Sequence, residues 1–237
     1  MKALLISDVH SNIDALNAIW REEGDSDAVY CAGDIVDYGL FPKEVIAWMR
    51  EHHAHCVMGN HDENLLEVYR TLNRRALINE PYTFAQYNAS LLDEDDIAYL
   101  RGLPQSLRFE LDGVSYYMKH FYVVDRYNIR TLSEYDKYWR AMAGEPQPGQ
   151  ERRLLFGHSH EQALIRFYGD ALCLNPGSIS YRGGYDDDTG RIDYATITDG
   201  RIELKRLRYD KSHLLPLMYR LNIAMADIHH GQRIMAP

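Results

Sequence analysis

The chain has 237 residues, with 46% hydrophobic and 26% charged residues, an ordinary globular composition that excludes disorder, collagen and coiled coil. Lys and Arg number 26 against 35 Asp and Glu, and the resulting net charge of −9 disfavours non-specific binding to nucleic acid or to an anionic membrane. The isolated cysteines Cys31, Cys56 and Cys173 lie in apolar runs without a CxxC, so they read as buried thiols of a reducing compartment rather than as a zinc site.

Residues 2–7 form a short apolar run that stops at Asp8-Val9-His10-Ser11-Asn12. The run is too short for a signal-peptide core or a membrane span, which places the protein in the cytoplasm as an expectation. A helical pattern follows, with Ile13, Leu16, Ile19 and Trp20 on one face. Residues 28–32 are the next apolar run, and it stops at Gly33-Asp34. Pro42 opens a second helix over 43–52, since proline suits a first helical turn. Residues 56–58 are a third strand, stopping at Gly59-Asn60-His61-Asp62. This repeated strand–loop–helix rhythm predicts parallel strands and an α/β fold.

From 63 to 103 the pattern is helical, interrupted near Pro81. The chain then turns strand-rich, with hairpins expected at 106–111 with 114–121, 163–168 with 171–174, and 194–198 with 201–209. Residues 153–156 run into Gly157-His158-Ser159-His160. A last helix is expected over 214–226. The intervening stretch, 122–150, holds Tyr122, Tyr127, Tyr135 and Tyr138 with Arg126 and Arg130 between them, and a helix over 133–142. A connection of this length is more often functional than idle, so it reads as a cap-like insert in a single domain spanning 1–237. Its tyrosines either stack on a nucleotide base or pack the segment onto the sheet.

Five strand ends thus carry a candidate ligand: Asp8-x-His10, Gly33-Asp34, Gly59-Asn60-His61-Asp62, His120, and Gly157-His158-x-His160. In open α/β sheets ligands bind beyond the carboxyl ends of the strands, so these clusters should converge. Gly-Asn-His-Asp is expected by chance only on the order of 0.003 times at this composition. Carboxylate and imidazole donors without thiolate suit a dinuclear centre of Mn, Fe, Zn, Ni or Co. Two such ions about 3.5–4 Å apart clamp the attacking and leaving oxygens of phosphoryl transfer.

In that order the motifs resemble the calcineurin-like metallophosphoesterase superfamily. Residues 4–12, Ala32-Gly33-Asp34-Ile35-Val36 and Asn175-Pro176-Gly177-Ser178 are similar to its small bacterial and archaeal phosphodiesterase-like branch. The resemblance implies two mixed β-sheets packed as a sandwich and flanked by helices in four layers. It implies one metal on Asp8, His10, Asp34 and His160 and another on Asp34, Asn60, His120 and His158, with Asp34 shared. It implies that His61 faces the phosphate and leaving group, that Asp62 orients its ring, and that a hydroxide bridging the metals attacks phosphorus. Phe121 stands where the family usually has glycine. The expected function is hydrolysis of a small phosphorylated substrate, a phosphodiester or nucleotide-type ester, with no stable nucleic-acid partner and no membrane. The alternatives are a phosphoprotein or phosphomonoester phosphatase and a catalytically weak protein-binding scaffold on the same fold. Arg182 either meets phosphate or pairs with the acidic run 186–188, and His213, His229 and His230 read as surface residues.

Overall fold

The first strand is buried on both faces, and its side chains alternate between two separate apolar layers, which sets the architecture. In the computed structural model, which describes all residues except 74, 79, 123–128, 148, 169, 182–189 and 236–237, the elements run as follows. The first half is β1 (Lys2–Ile6), α1 (Ile13–Glu23), β2 (Ala28–Cys31), α2 (Pro42–Glu51), β3 (His55–Cys56), α3 (Asn60–Thr71), α4 (Phe84–Leu91) and α5 (Glu94–Arg101). The second half is β4 (Leu107–Leu111), β5 (Val114–Met118), α6 (Leu132–Ala143), β6 (Arg152–Leu155), β7 (Ala163–Arg166), β8 (Ala171–Asn175), β9 (Arg191–Thr198), β10 (Arg201–Arg208), α7 (Leu214–Met218) and α8 (Met225–Met235).

These strands make two five-stranded mixed sheets, ordered β10-β9-β1-β2-β3 and β4-β5-β6-β8-β7. In the first, β1 runs parallel to β2 and antiparallel to β9, with Ala3 opposite Ala28 on one side and Ile197 on the other. Successive strand side chains point to opposite faces. Ala3 and Leu5 therefore meet Tyr116, Met118, Leu155 and Leu174 of the second sheet, forming the layer between the sheets. Leu4 and Ile6 turn outward to Leu16, Ile19, Ile46 and Leu65 of the helices. On the outer face of the second sheet, Tyr117, Leu154 and Cys173 lie under Tyr135 and Trp139 of α6. The layers are thus helix, sheet, sheet, helix, as the resemblance implied.

Two expectations are corrected, and one open alternative is narrowed. In the described part of 122–150, Tyr122 and Tyr135 follow the packing alternative: they are buried against the second sheet, because their rings offer large apolar area to its open face. Tyr127 and Arg126 lie outside the described residues. The single helix over 214–226 is two, α7 and α8. The chain between them runs extended so that Tyr82 N–H donates to the Asn222 carbonyl and Ala224 N–H to the Tyr82 carbonyl. Finally, the third strand is the pair His55–Cys56, and Asn60 and His61 already belong to the first turn of α3.

Candidate metal centre and active site

All five strand-end clusters meet at one end of the two sheets. Asp8, His10 and His160 form one group of donor atoms, and Asp34, His120 and His158 form the other. Within the first, His10 Nε2 lies 3.3 Å from His160 Nε2, which is 3.2 Å from Asp8 Oδ1. Within the second, His120 Nε2 lies 3.0 Å from Asp34 Oδ2, and Asn60 Oδ1 is 3.1 Å from His120 Nε2 and 2.9 Å from His158 Nδ1. The same Asp34 Oδ2 is 3.9 Å from His10 Nε2, so this carboxylate stands between the groups. The structure brings together all seven residues expected as ligands.

Backbone hydrogen bonds aim these side chains. His120 Nδ1 donates to the Ala32 carbonyl at 2.7 Å and His160 Nδ1 to the Tyr181 carbonyl at 3.0 Å. Each bond fixes the tautomer that presents an Nε2 lone pair inward, the usual support of a metal-ligating histidine. Asn175 Nδ2 donates to the Gly157 carbonyl and to Ser159 Oγ, and Ser178 Oγ donates to the Asp8 carbonyl, so the Asn-Pro-Gly-Ser stretch ties two ligand loops together. Asp8, His10, Asp34, His158 and His160 all have φ between 46° and 66°. That left-handed conformation costs a non-glycine residue roughly 1–2 kcal/mol, and such strain collects at functional sites. Gly33, with φ of 99°, could not carry a side chain: a Cβ there would sit 2.8 Å from His120 Nδ1.

The donor set fits divalent ions. His160 Nε2, unprotonated in the tautomer its carbonyl bond selects, faces His10 Nε2, and His10 Nδ1 is buried without a hydrogen-bond partner. A cation between His10 Nε2, His160 Nε2 and the Asp8 carboxylate would meet one lone pair from each. Burial pushes the His10 imidazole down to about 3 and lowers that of His158, so both are neutral, as ligation requires. Burial works against ionising Asp34, but the adjacent His120, itself pushed up to about 10 by Asp34, outweighs it and holds the carboxyl low; a cation taking the His120 Nε2 lone pair would displace the proton of this ion pair.

His61 ligates in neither group. Its ring stands edge-on to His10, with centroids 4.9 Å apart, and Nδ1 donates to Asp37 Oδ2 at 2.8 Å. Burial lowers the affinity of this ring for a proton, and Asp37 and Asp34 more than restore it, so its pKa is raised. The expectation that Asp62 orients His61 is corrected. Asp62 Oδ1 accepts from Ile35 N–H at 2.9 Å and Val36 N–H at 3.1 Å, and Oδ2 accepts from Gly59 N–H at 2.9 Å. A buried carboxylate at the third position of α3 satisfies the helix-terminal donors first. It thereby locks the loop of Asp34 to that of Asn60. Burial and the charge of Asp34 push its carboxyl up to about 7.

The sequence reading missed Asp37 and Asn88. Asn88, fully buried in α4, accepts from Ser11 Oγ and Asp37 N–H and donates to the Gly39 and Phe84 carbonyls. It fixes the loop that carries Asp37. Arg182 lies outside the described residues. His213 and His229 are exposed, whereas His230 is partly buried and stacks on Tyr38 at 5.0 Å.

Two sheets layered between helices, with carboxylate and imidazole donors gathered at their strand ends, define a class of protein with donor groups that could hold metal ions. The sequence matches the calcineurin-like phosphoesterase superfamily domain over residues 1–197, and the chain belongs to that superfamily. It is 25% identical over 221 residues to an uncharacterized protein of Methanocaldococcus jannaschii, covering 87% of each chain. Its fold is similar to that of a metallophosphoesterase from Sphaerobacter thermophilus (TM-score 0.69, 20% identity, covering 98% of this chain and 99% of the other). It is also similar to a hypothetical protein from Pyrococcus horikoshii OT3 (TM-score 0.73, 16% identity, covering 100% of this chain and 98% of the other). Among the described residues no helix is long and apolar enough to cross a membrane.

Proposed function

We propose that the protein hydrolyses phosphate esters, phosphodiesters foremost, using two divalent ions held by the two donor groups that share Asp34. The carrying observation is that shared carboxylate beside a histidine, His61, that ligates nothing and is held by Asp37. Bound there, two divalent ions supply charge for the phosphoryl oxygens and acidify the attacking water. Asp8, His10, Asp34 and His160 would hold one ion, and Asp34, Asn60, His120 and His158 the other.

The residues around the ions complete the chemistry. With Nδ1 engaged by Asp37, His61 Nε2 is the nitrogen left for substrate, and it donates a proton to the departing oxygen. The water gives up a proton to solvent as its oxygen bonds to phosphorus, the bond from phosphorus to the ester oxygen breaks, the departing alcohol takes the proton from His61, and His61 regains one from solvent. Two walls flank the donor groups, Tyr38 and His61 on the His10 side and Phe121, 5.0 Å from the His158 ring, on the other. A diester has two organic arms for such a site, where a monoester has one. The three buried free thiols support a reducing, cytoplasmic setting.

The test is a substrate panel on metal-stripped protein with Mn2+ restored, spanning aryl phosphodiesters, nucleotide diesters, phosphomonoesters and a phosphopeptide. Diester hydrolysis that depends on added metal is expected. A monoester or phosphopeptide preference overturns the substrate reading, and metal uptake without turnover on any ester favours the scaffold reading.

A further inference from the structure

The wall of the centre on the His61 side opens into a pocket of about 380 Å³. Asp37, Tyr38, His61, Asn64, Thr83 and Asp227 line it, together with apolar residues and Gln86. Asp227 comes from α8, which lies beyond the residues matched by the superfamily domain. The placement of α8 is built in. Its Gly231 packs where a Cβ would sit 2.8 Å from the Phe84 ring, Met235 is buried beside Phe84, and Asp227 Oδ2 accepts from Phe84 N–H at 2.8 Å. His230, three residues on, stacks on Tyr38, whose ring also lies 4.5 Å from that of His61 and 5.2 Å from that of His10.

The charge of this pocket is one-sided. Asp37 and Asp227 are its acids, His61 is the base that pairs with Asp37, and among the described lining residues there is no lysine or arginine. The Asp37 carboxylate is engaged on both oxygens, by His61 Nδ1 and Tyr38 N–H. Asp227 is therefore the lining carboxylate outside the proton-donating pair. An alcohol leaving from phosphorus beside His61 departs into this space. A carboxylate or second phosphate on that alcohol meets a fixed negative charge, whereas an ammonium or hydroxyl finds an acceptor.

We propose that α8 makes this pocket the seat of the leaving alcohol, and that Asp227 selects ammonium-bearing or hydroxylated alcohols against anionic ones. The inference rests on the phosphodiesterase reading above, and it adds the chemical class of one arm of the substrate.

The test uses methyl aryl phosphodiesters whose phenol carries a para aminomethyl, hydroxymethyl or carboxymethyl group, a series that varies charge more than leaving ability. For the Mn-loaded full chain, kcat/KM should fall in that order, by about tenfold or more between the extremes, as a charge pair in a partly desolvated pocket gives. Asp227→Asn keeps an oxygen for the Phe84 N–H, and it should bring the extremes to within about threefold of each other. Asp227→Lys should invert the order. An unchanged ratio in both variants, with all three rates lowered alike, makes α8 a structural support only and overturns the proposal. So does a wild-type preference for the carboxymethyl ester, which needs no variant. Titration of 4-(aminomethyl)phenol into the protein reads the same pocket without turnover. Binding weakened about tenfold by Asp227→Asn is expected, and equal binding overturns the proposal. Failure of the diester reading shows instead as no metal-dependent hydrolysis of any of the three esters, with this binding result unaffected.

Discussion

The Asp37 carboxylate accepts from the His61 ring and from the Tyr38 N–H, so its removal frees the imidazole to rotate and to change tautomer. A general acid contributes about 10²–10⁴-fold, and His61→Asn should lower kcat by that range while the metal content stays at the wild-type value. The loss should be smaller for aryl esters, whose oxygen leaves without a proton; equal losses for aryl and alkyl esters would exclude the acid role. Asp37→Ala should give a smaller kcat loss of the same leaving-group dependence, because the ring remains but wanders. Asp34 makes a different prediction. Its Oδ2 lies between the groups, 3.0 Å from His120 Nε2 and 3.9 Å from His10 Nε2, so Asp34→Asn should weaken both ions at once. Elemental analysis of dialysed protein should show occupancy falling at both positions, and retention of one full ion per chain would contradict a shared ligand.

The elements are tied together by polar clusters as well as by the apolar layers. Glu23, at the end of α1, is 2% exposed and accepts from Tyr194 of β9 and Lys205 of β10, while Lys2 of β1 pairs with it at 2.9 Å. Burial raises its carboxyl, and these partners outweigh burial and set it below the unfolded value of 4.5. A depressed acid stabilises the fold above the unfolded pKa, and that contribution is lost as pH falls through the lower folded value. Glu23→Gln should therefore cost about 1–3 kcal/mol at neutral pH, the penalty for disrupting a buried charged hydrogen-bond cluster. The gap between variant and wild type in denaturant melts should narrow as pH falls below 4.5 and close once the lower folded value is passed. At this scale the sequence was most legible where a strand stops. Asp34 and His158 follow glycines at the ends of apolar runs, and that punctuation located the centre. Asp37 and Asn88 escaped because no local pattern marks them. Asn88 sits mid-helix, and only the packing of α4 against the loop around Gly39 gives it partners. The role of Asp62 was misread for a related reason: adjacency to His61 suggested a contact that helix-capping geometry directs elsewhere. Most of α8 escaped because its contact with Phe84 comes from far along the chain, and its contact with Met218 depends on how α7 turns back.

Across the whole molecule the centre belongs to both sheets. Asp8 and His10 follow β1, Asp34 follows β2, and Asn60 opens the helix after β3, whereas His120 follows β5 and His158 and His160 follow β6. Neither sheet holds a complete donor group, since Asp8 and His10 need His160, and Asp34 needs His120 and His158. The pairing of β1 with β9 carries this further, into the order of synthesis. β1 is made first, and its side toward β2 can be filled as soon as residue 31 is made. Its other edge waits for the partners Ala195–Thr198. Every proposed ligand has been synthesised by residue 160, yet the strand that aims Asp8 and His10 still has an open edge until β9 follows, the kind that invites pairing with another chain. Competence to take up metal should thus lag behind production of the ligands by some tens of residues. Chains truncated at residue 180 and released from the ribosome should be protease-sensitive and should not bind metal stoichiometrically, whereas released chains that include β10 should gain protection of the β1 region. Protection of β1 already at 180 would show that the first three strands fold on their own. On the pairing seen here, all the proposed ligands are made before the strand that closes the edge of β1 and so holds Asp8 and His10 in place.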